Sequence, residues 1–164
     1  MYEERFMRRA IELSAEAMTR PKTEPFGCVV VEDGAIVGEG LNHSLANLDP
    51  TSHGEVEAIR DACRRLGRVD LTGCELYTSC EPCALCVATM NIVGISRLYY
   101  AASMDDAGKA FDRLGRAERH PIDVDLLRSE AGATVDRRAT PAEQHLGEDA
   151  TRILSKWASA RKAD

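Results

Sequence analysis

The spacing of apolar residues changes several times along the chain, and each change marks an element. Phe6, Ala10, Leu13 and Ala17 recur at helical intervals, predicting a first amphipathic helix that ends before Arg20-Pro21. The period then shortens. Phe26-Gly-Cys-Val-Val-Val and Ala35-Ile-Val-Gly-Glu-Gly flank Glu32-Asp33-Gly34, and Asp-Gly between two β-forming runs predicts an antiparallel hairpin. Helical spacing returns at Val56, Ile59, Cys63 and Leu66, with Ser52 as the expected N-cap and Gly67 as the stop.

Leu76-Tyr77-Thr78 reads as a short strand, residues 83–91 as a helix opened by Pro82, and residues 95–101 as another strand. Such alternation implies parallel strands with helices packed on the sheet faces. Further on, a helix is expected near residues 106–114 and a strand signal falls at Thr134-Val135. The last clear element spans residues 142–160, where Leu146, Ala150, Ile153 and Trp157 share one helical stripe, with a frayed end at 161–164. No repeat, low-complexity tract or linker divides the chain, so residues 1–164 are expected to form one α/β domain.

A chain of 164 residues, 44% apolar, has enough hydrophobic surface to bury a single core. It contains no apolar run of about 18 residues, and its first nine residues mix acids with bases and lack a secretory apolar stretch. The expectation is a cytoplasmic protein with no membrane partner. Six cysteines, four of them between Cys74 and Cys86, suit metal chemistry in a reducing compartment better than disulfides. A formal charge of −6 argues against nucleic acid as a partner, because phosphate binders are basic. Arg113, Arg116 and Arg119 read as a solvated face.

Two short strings carry the chemistry, His53-Gly54-Glu55 and Pro82-Cys83-Ala84-Leu85-Cys86. Zinc favours imidazole and thiolate ligands, and a catalytic zinc keeps three protein ligands so that a water takes the fourth position. His53, Cys83 and Cys86 supply the three, leaving Glu55 free to handle the proton. Both strings fall at helix starts, where free N–H groups and the macrodipole favour thiolates, and Cys83 and Cys86 share a helical face at i and i+3. Duller readings exist for each. Ser52-x-x-Glu55 is also a capping box, Cys-x-x-Cys also a redox pair, and Cys80, Cys83, Cys86 and His53 would make a closed structural site. A redox pair leaves His53 and Glu55 without a role, and a helix beginning at Pro82 leaves Cys80 outside the turn. Cys28, Cys63 and Cys74 read as small core residues.

The H-x-E and P-C-x-x-C strings resemble the signature of the zinc-dependent nucleobase and nucleoside deaminases of the cytidine deaminase-like superfamily. Pro25-Phe26-Gly27, Asn42, Asp49-Pro50-Thr51 and the run from Leu76 to Cys83 are similar to the bacterial guanine deaminase group, over roughly residues 1–115. The resemblance implies a three-layer α/β/α sandwich with a mixed five-stranded sheet, a homodimer, and a C-terminal helix packing on or across the partner subunit. It implies zinc on His53, Cys83 and Cys86, Glu55 as the proton carrier, Asn42 hydrogen-bonded to a small nucleobase or nucleoside, and Phe26 stacked on its ring. Phe26 also reads as an ordinary core strand residue. Guanine-type relatives use an acid after the fourth strand, for which Asp105, Asp106 and Asp112 are candidates. Gly54 inside the first string is shared with fungal-type cytosine deaminases and is a candidate substrate contact. A purine-type deaminase is therefore the first expectation, a cytosine-type enzyme the second and a tRNA adenosine deaminase the third. A noncatalytic zinc-stabilised binding module is the alternative of another class.

Overall fold

In the computed structural model, which describes residues 1–115, 119 and 122–161, the short-period stretches become four strands. β1 (Glu24–Glu32) and β2 (Ala35–Asn42) form the expected antiparallel hairpin. Asp33 and Gly34 at its tip both take positive φ, 49° and 75°, the tandem left-handed turn that matches strand twist. β3 (Glu75–Cys80) pairs antiparallel with β1, and β4 (Arg97–Ala102) pairs parallel with β3, giving the order β2-β1-β3-β4.

Side chains alternate across the sheet, so each strand feeds two layers. Val29, Val31 and Tyr77 face Phe6, Met7 and Leu13 of α1 (Glu4–Ala15). Cys28, Val30 and Leu76 face the opposite layer, built from Ala58, Ile59 and Ala62 of α3 (Gly54–Leu66) and Met90 and Val93 of α4 (Ala84–Val93). The result is a helix–sheet–helix sandwich. A single turn, α2 (Ser44–Asn47), links β2 toward α3, and α4 carries the chain from β3 to its parallel neighbour. The pairings bring the ends of β2, β3 and β4 and the start of β1 to one edge of the sheet.

After β4 come α5 (Met104–Phe111) and α6 (Val124–Gly132). The chain divides into two compact units, Met1–Arg128 and Ser129–Asp164. The second holds a 3₁₀ turn, Val135–Arg137, and α7 (Gly147–Ala160). Ile153, Leu154 and Trp157 of α7 are exposed.

Three expectations are corrected. The sheet has four strands among the described residues, not five, because Thr134-Val135 lies at a 3₁₀ turn and the alternating stretch after Ala102, Ile122-Asp-Val-Asp-Leu, runs into α6 at Val124. Ser52 does not cap α3. His53 occupies that position, and the Ser52 hydroxyl, fully buried, donates to Glu57 instead. The last helix begins at Gly147, with Leu146 outside it in a left-handed conformation (φ 55°). All six cysteines are free thiols, and among the described residues no helix is long and apolar enough to cross a membrane.

Candidate metal and substrate site

α3 and α4 both open at the sheet edge where β2 and β3 end, and each places a ligand-type side chain at its N-cap: His53 for α3, Cys83 for α4. Close packing sets the position of the first helix start. A Cβ built on Gly54 would lie 2.2 Å from the Phe26 carbonyl oxygen, a separation only a glycine permits. Gly54 is thus a packing residue that lets α3 meet β1. It does not line the cavity described below.

The loop before α3 is braced by its own polar network. Asn42 Oδ1 accepts the Ser44 N–H at 3.0 Å, and His43 Nδ1 lies 2.7 Å from the Leu41 carbonyl. Asn47 Nδ2 donates to Ser52 Oγ, Ser52 Oγ to Glu57, and Arg60 bridges Glu57 and Thr51. These bonds hold His53 at the head of the helix.

His53 Nδ1 stands 3.5 Å from Cys83 Sγ and 3.5 Å from Cys86 Sγ, and the two sulfurs are 3.8 Å apart. A tetrahedral zinc, about 2.3 Å from sulfur and about 2.05 Å from nitrogen, requires edges of about 3.8 Å and 3.6 Å. The three donor atoms therefore fit the ion. Cys80 is outside this group. Its Sγ points to the Ser103 carbonyl at 3.8 Å, and burial pushes its thiol up to about 11, so the closed four-ligand alternative finds no fourth ligand in Cys80.

Electrostatics couple the three donors to one another. Hydrogen bonding from Cys86, and then from His53, pulls the Cys83 thiol down to about 4, while sharing that proton with Cys83 drives Cys86 upward. Contact with Cys83 raises His53. Glu55 is buried, which raises its carboxyl, and its two oxygens lie 3.3 Å from Cys86 Sγ and 3.5 Å from the Thr78 hydroxyl. The carboxyl adjoins the cluster without belonging to it.

A cavity of about 420 Å³ opens over this floor, within the usual range for small-molecule sites. His53, Glu55, Cys83, Asn42 and Phe26 line it; Cys86 lies beneath, 1% exposed. Asp106 and Asp112 do not line it. Asp106 closes a capping box with Ser103 at the start of α5, and Asp112 sits exposed at that helix's C-terminal cap. Asp105 is exposed as well.

The acids that do reach the cavity, besides Glu55, are Glu24 and Glu81, neither singled out from the sequence. Glu81 Oε2 accepts the Met104 N–H at 3.0 Å. Glu24 pairs with Arg119 at 2.9 Å, and the Arg119 guanidinium lies over Phe111 and Phe26, 4.4 and 5.5 Å from their ring centres. Arg119 is therefore not part of a solvated face. Arg113 is exposed, and Arg116 lies outside the described residues. An acid two positions before Phe26 on the same strand was the available signal for Glu24.

A mixed sheet with two helix starts meeting over its edge, and zinc-type donors on both, defines a zinc-binding deaminase. The chain belongs to the family of the cytidine and deoxycytidylate deaminase zinc-binding region, whose profile matches residues 1–102. It is 44% identical over 110 residues to guanine deaminase of Bacillus subtilis (strain 168), covering 67% of this chain and 70% of that protein. It is 37% identical over 103 residues to a tRNA-specific adenosine deaminase of Agrobacterium fabrum, covering 63% and 67%. The X-ray structure of the Bacillus subtilis guanine deaminase matches 97% of this chain and 95% of its own, with a TM-score of 0.82 at 34% identity. A guanine deaminase structure from Nitrosomonas europaea matches with a TM-score of 0.62 at 26% identity, over 78% and 72%.

Proposed function

We propose that this chain is a zinc-dependent hydrolytic deaminase of a small amino-substituted nucleobase, guanine-type purines first, converting a ring C–NH₂ and water to C=O and ammonia. The observation that carries the reading is the donor triangle of 3.5, 3.5 and 3.8 Å with a buried, unligated carboxyl beside it at the floor of a cavity. Similarity to guanine deaminases supports the purine preference.

In this reading His53, Cys83 and Cys86 hold the ion. Zinc bound there supplies a Lewis acid that brings the pKa of a water to roughly 7. Glu55 takes a proton from the attacking water, passes it to the ring nitrogen beside the reacting carbon, and later to the departing amine. Burial favours this exchange, since a raised carboxyl binds and releases a proton closer to neutrality. Asn42 presents its amide N–H₂ to the substrate, because its oxygen is held by the Ser44 N–H and the nitrogen has no partner among the described residues. Phe26 offers an apolar ring face.

The experiment is ammonia release by the zinc-loaded protein from guanine, guanosine, cytosine, adenine, and adenosine within tRNA. Release from guanine above the others supports the reading; release from cytosine or tRNA alone would replace it with a rival deaminase. A zinc-loaded, folded protein silent with every member would favour the noncatalytic module. Assembly as a cytoplasmic homodimer belongs to the same proposal and is checked by sedimentation and cell fractionation.

A further inference from the structure

Glu24 and Asn42 are direct partners in the β1–β2 ladder, and beyond them the register shifts across Pro25 and Phe26 before Gly27 pairs with Leu41. Partners in a ladder share a sheet face. Glu24, Phe26 and Asn42 therefore converge on the cavity from one end of the hairpin. Bulges of this kind redirect side chains beside active sites.

Arg119 comes to the same place from a position 95 residues away. Its Nε donates to Glu24 Oε2, with side-chain exposures of 25% and 13%, so water reaches only part of either charge. One contact uses one atom of each group. Glu24 Oε1 and both terminal nitrogens of Arg119 have no polar partner among the described residues. Two aromatic rings below the guanidinium fix its plane. A fixed acceptor and a fixed donor thus stand side by side on the wall of the substrate cavity, each with capacity that the described residues do not use.

We propose that Glu24 and Arg119 form a specificity element that reads a lactam edge, a ring N–H next to a ring C=O, on the base being deaminated. The carboxylate accepts from the N–H and the guanidinium donates to the oxygen. This deepens the deaminase reading and rests on it. It selects oxo-substituted amino heterocycles over adenine-like rings, which offer an acceptor where Glu24 needs a donor and leave both charges unmatched.

Guanine and 2-aminopurine isolate the edge, since both carry the reacting 2-amino group on a purine and only guanine has the N1–H and C6=O. Wild type is expected to favour guanine in kcat/KM by about 100-fold, and Glu24→Gln and Arg119→Gln to shrink that ratio at least about tenfold, with Arg119→Lys keeping part of it. A pair that merely clips residue 119 to the sheet would lower both substrates alike, and an unchanged ratio overturns the proposal. If wild type turns over neither purine, the purine-deaminase reading fails, and the pair is judged by binding. The fluorescence of 2-aminopurine then reports its displacement by hypoxanthine, which has the lactam edge, or by purine, which lacks it. Tighter binding of hypoxanthine that is lost in both variants supports the element; equal displacement by the two overturns it.

Discussion

Glu55 Oε2 lies 3.3 Å from Cys86 Sγ, close enough to serve a group bound at the three-donor cluster yet outside the ligand set. In the proposed mechanism this position separates proton transfer from metal retention. Glu55→Gln keeps the shape of the side chain and one of its two acceptor oxygens while removing its ability to carry the proton. Zinc content should stay at the wild-type level while kcat falls about 10²–10⁴-fold. Activity within threefold of wild type would remove Glu55 from the mechanism.

Cys83→Ser tests the other half of that separation. Serine keeps the N-cap of α4 but offers no thiolate, so zinc measured by emission spectroscopy should fall well below that of wild type. Chelation of the wild-type protein should lower its melting temperature, and returning zinc should restore it, because ligand binding to the folded state adds to stability. An unchanged metal content in Cys83→Ser would refute its assignment as a ligand.

The approach of α3 to β1 predicts a cost for the smallest possible side chain. In Gly54→Ala the new methyl would stand 2.2 Å from the Phe26 carbonyl oxygen, and relief requires moving the helix start that carries His53. Destabilisation of about 1–3 kcal/mol is expected, with a matching loss of zinc affinity. Chemical denaturation and metal titration read the two effects separately; wild-type values in both would mean that the helix and strand are less tightly joined.

Acid stability depends partly on an ion pair far from the cavity. Arg9 holds Glu39 through two bonds, 2.8 and 2.9 Å, and this contact lowers the Glu39 carboxyl below its usual 4.5. A carboxylate depressed on folding contributes stability above the unfolded value of about 4.5 and loses it as pH falls through the lowered folded value. Glu39→Gln should therefore cost about 0.5–1 kcal/mol at neutral pH and progressively less in acid, the pair being about one-third exposed. Urea midpoints of the two proteins measured from pH 7 to pH 3 should converge; a constant gap would assign the effect to packing.

The three-donor cluster was legible because its parts are local. Cys83 and Cys86 are one helical turn apart, and His53 precedes a helix whose period is plain in Val56, Ile59 and Cys63. The hairpin was legible for the same reason, since Asp33-Gly34 encodes its turn. Ser52 misled because serine is the commoner cap, whereas the fold spends its hydroxyl on Glu57. The substrate wall was least legible. Asp106 looked available, but a neighbouring serine three positions earlier captures it, and Glu24 meets Arg119 only once β1 and the segment after α5 have been brought together. A fifth strand was an inheritance of the resemblance, and the alternating stretch Ile122-Asp-Val-Asp-Leu enters a helix at Val124 instead of building one.

The cavity has two unlike halves. His53, Glu55 and Cys83 stand on elements locked into the sandwich, while Met104, Ala107 and Leu127 come from α5 and α6, which bury no residue completely. Met104 and Leu127 also pack against Val56, Cys83 and Cys86, whereas Ala107, Gly108 and Ile122 belong to none of the buried clusters, so the outline presented to a ligand can be redrawn at those three positions while the reacting groups stay where they are. A scaffold divided in this way lends itself to laboratory evolution: libraries confined to those positions would explore new amino heterocycles without first having to rebuild the machinery that hydrolyses them.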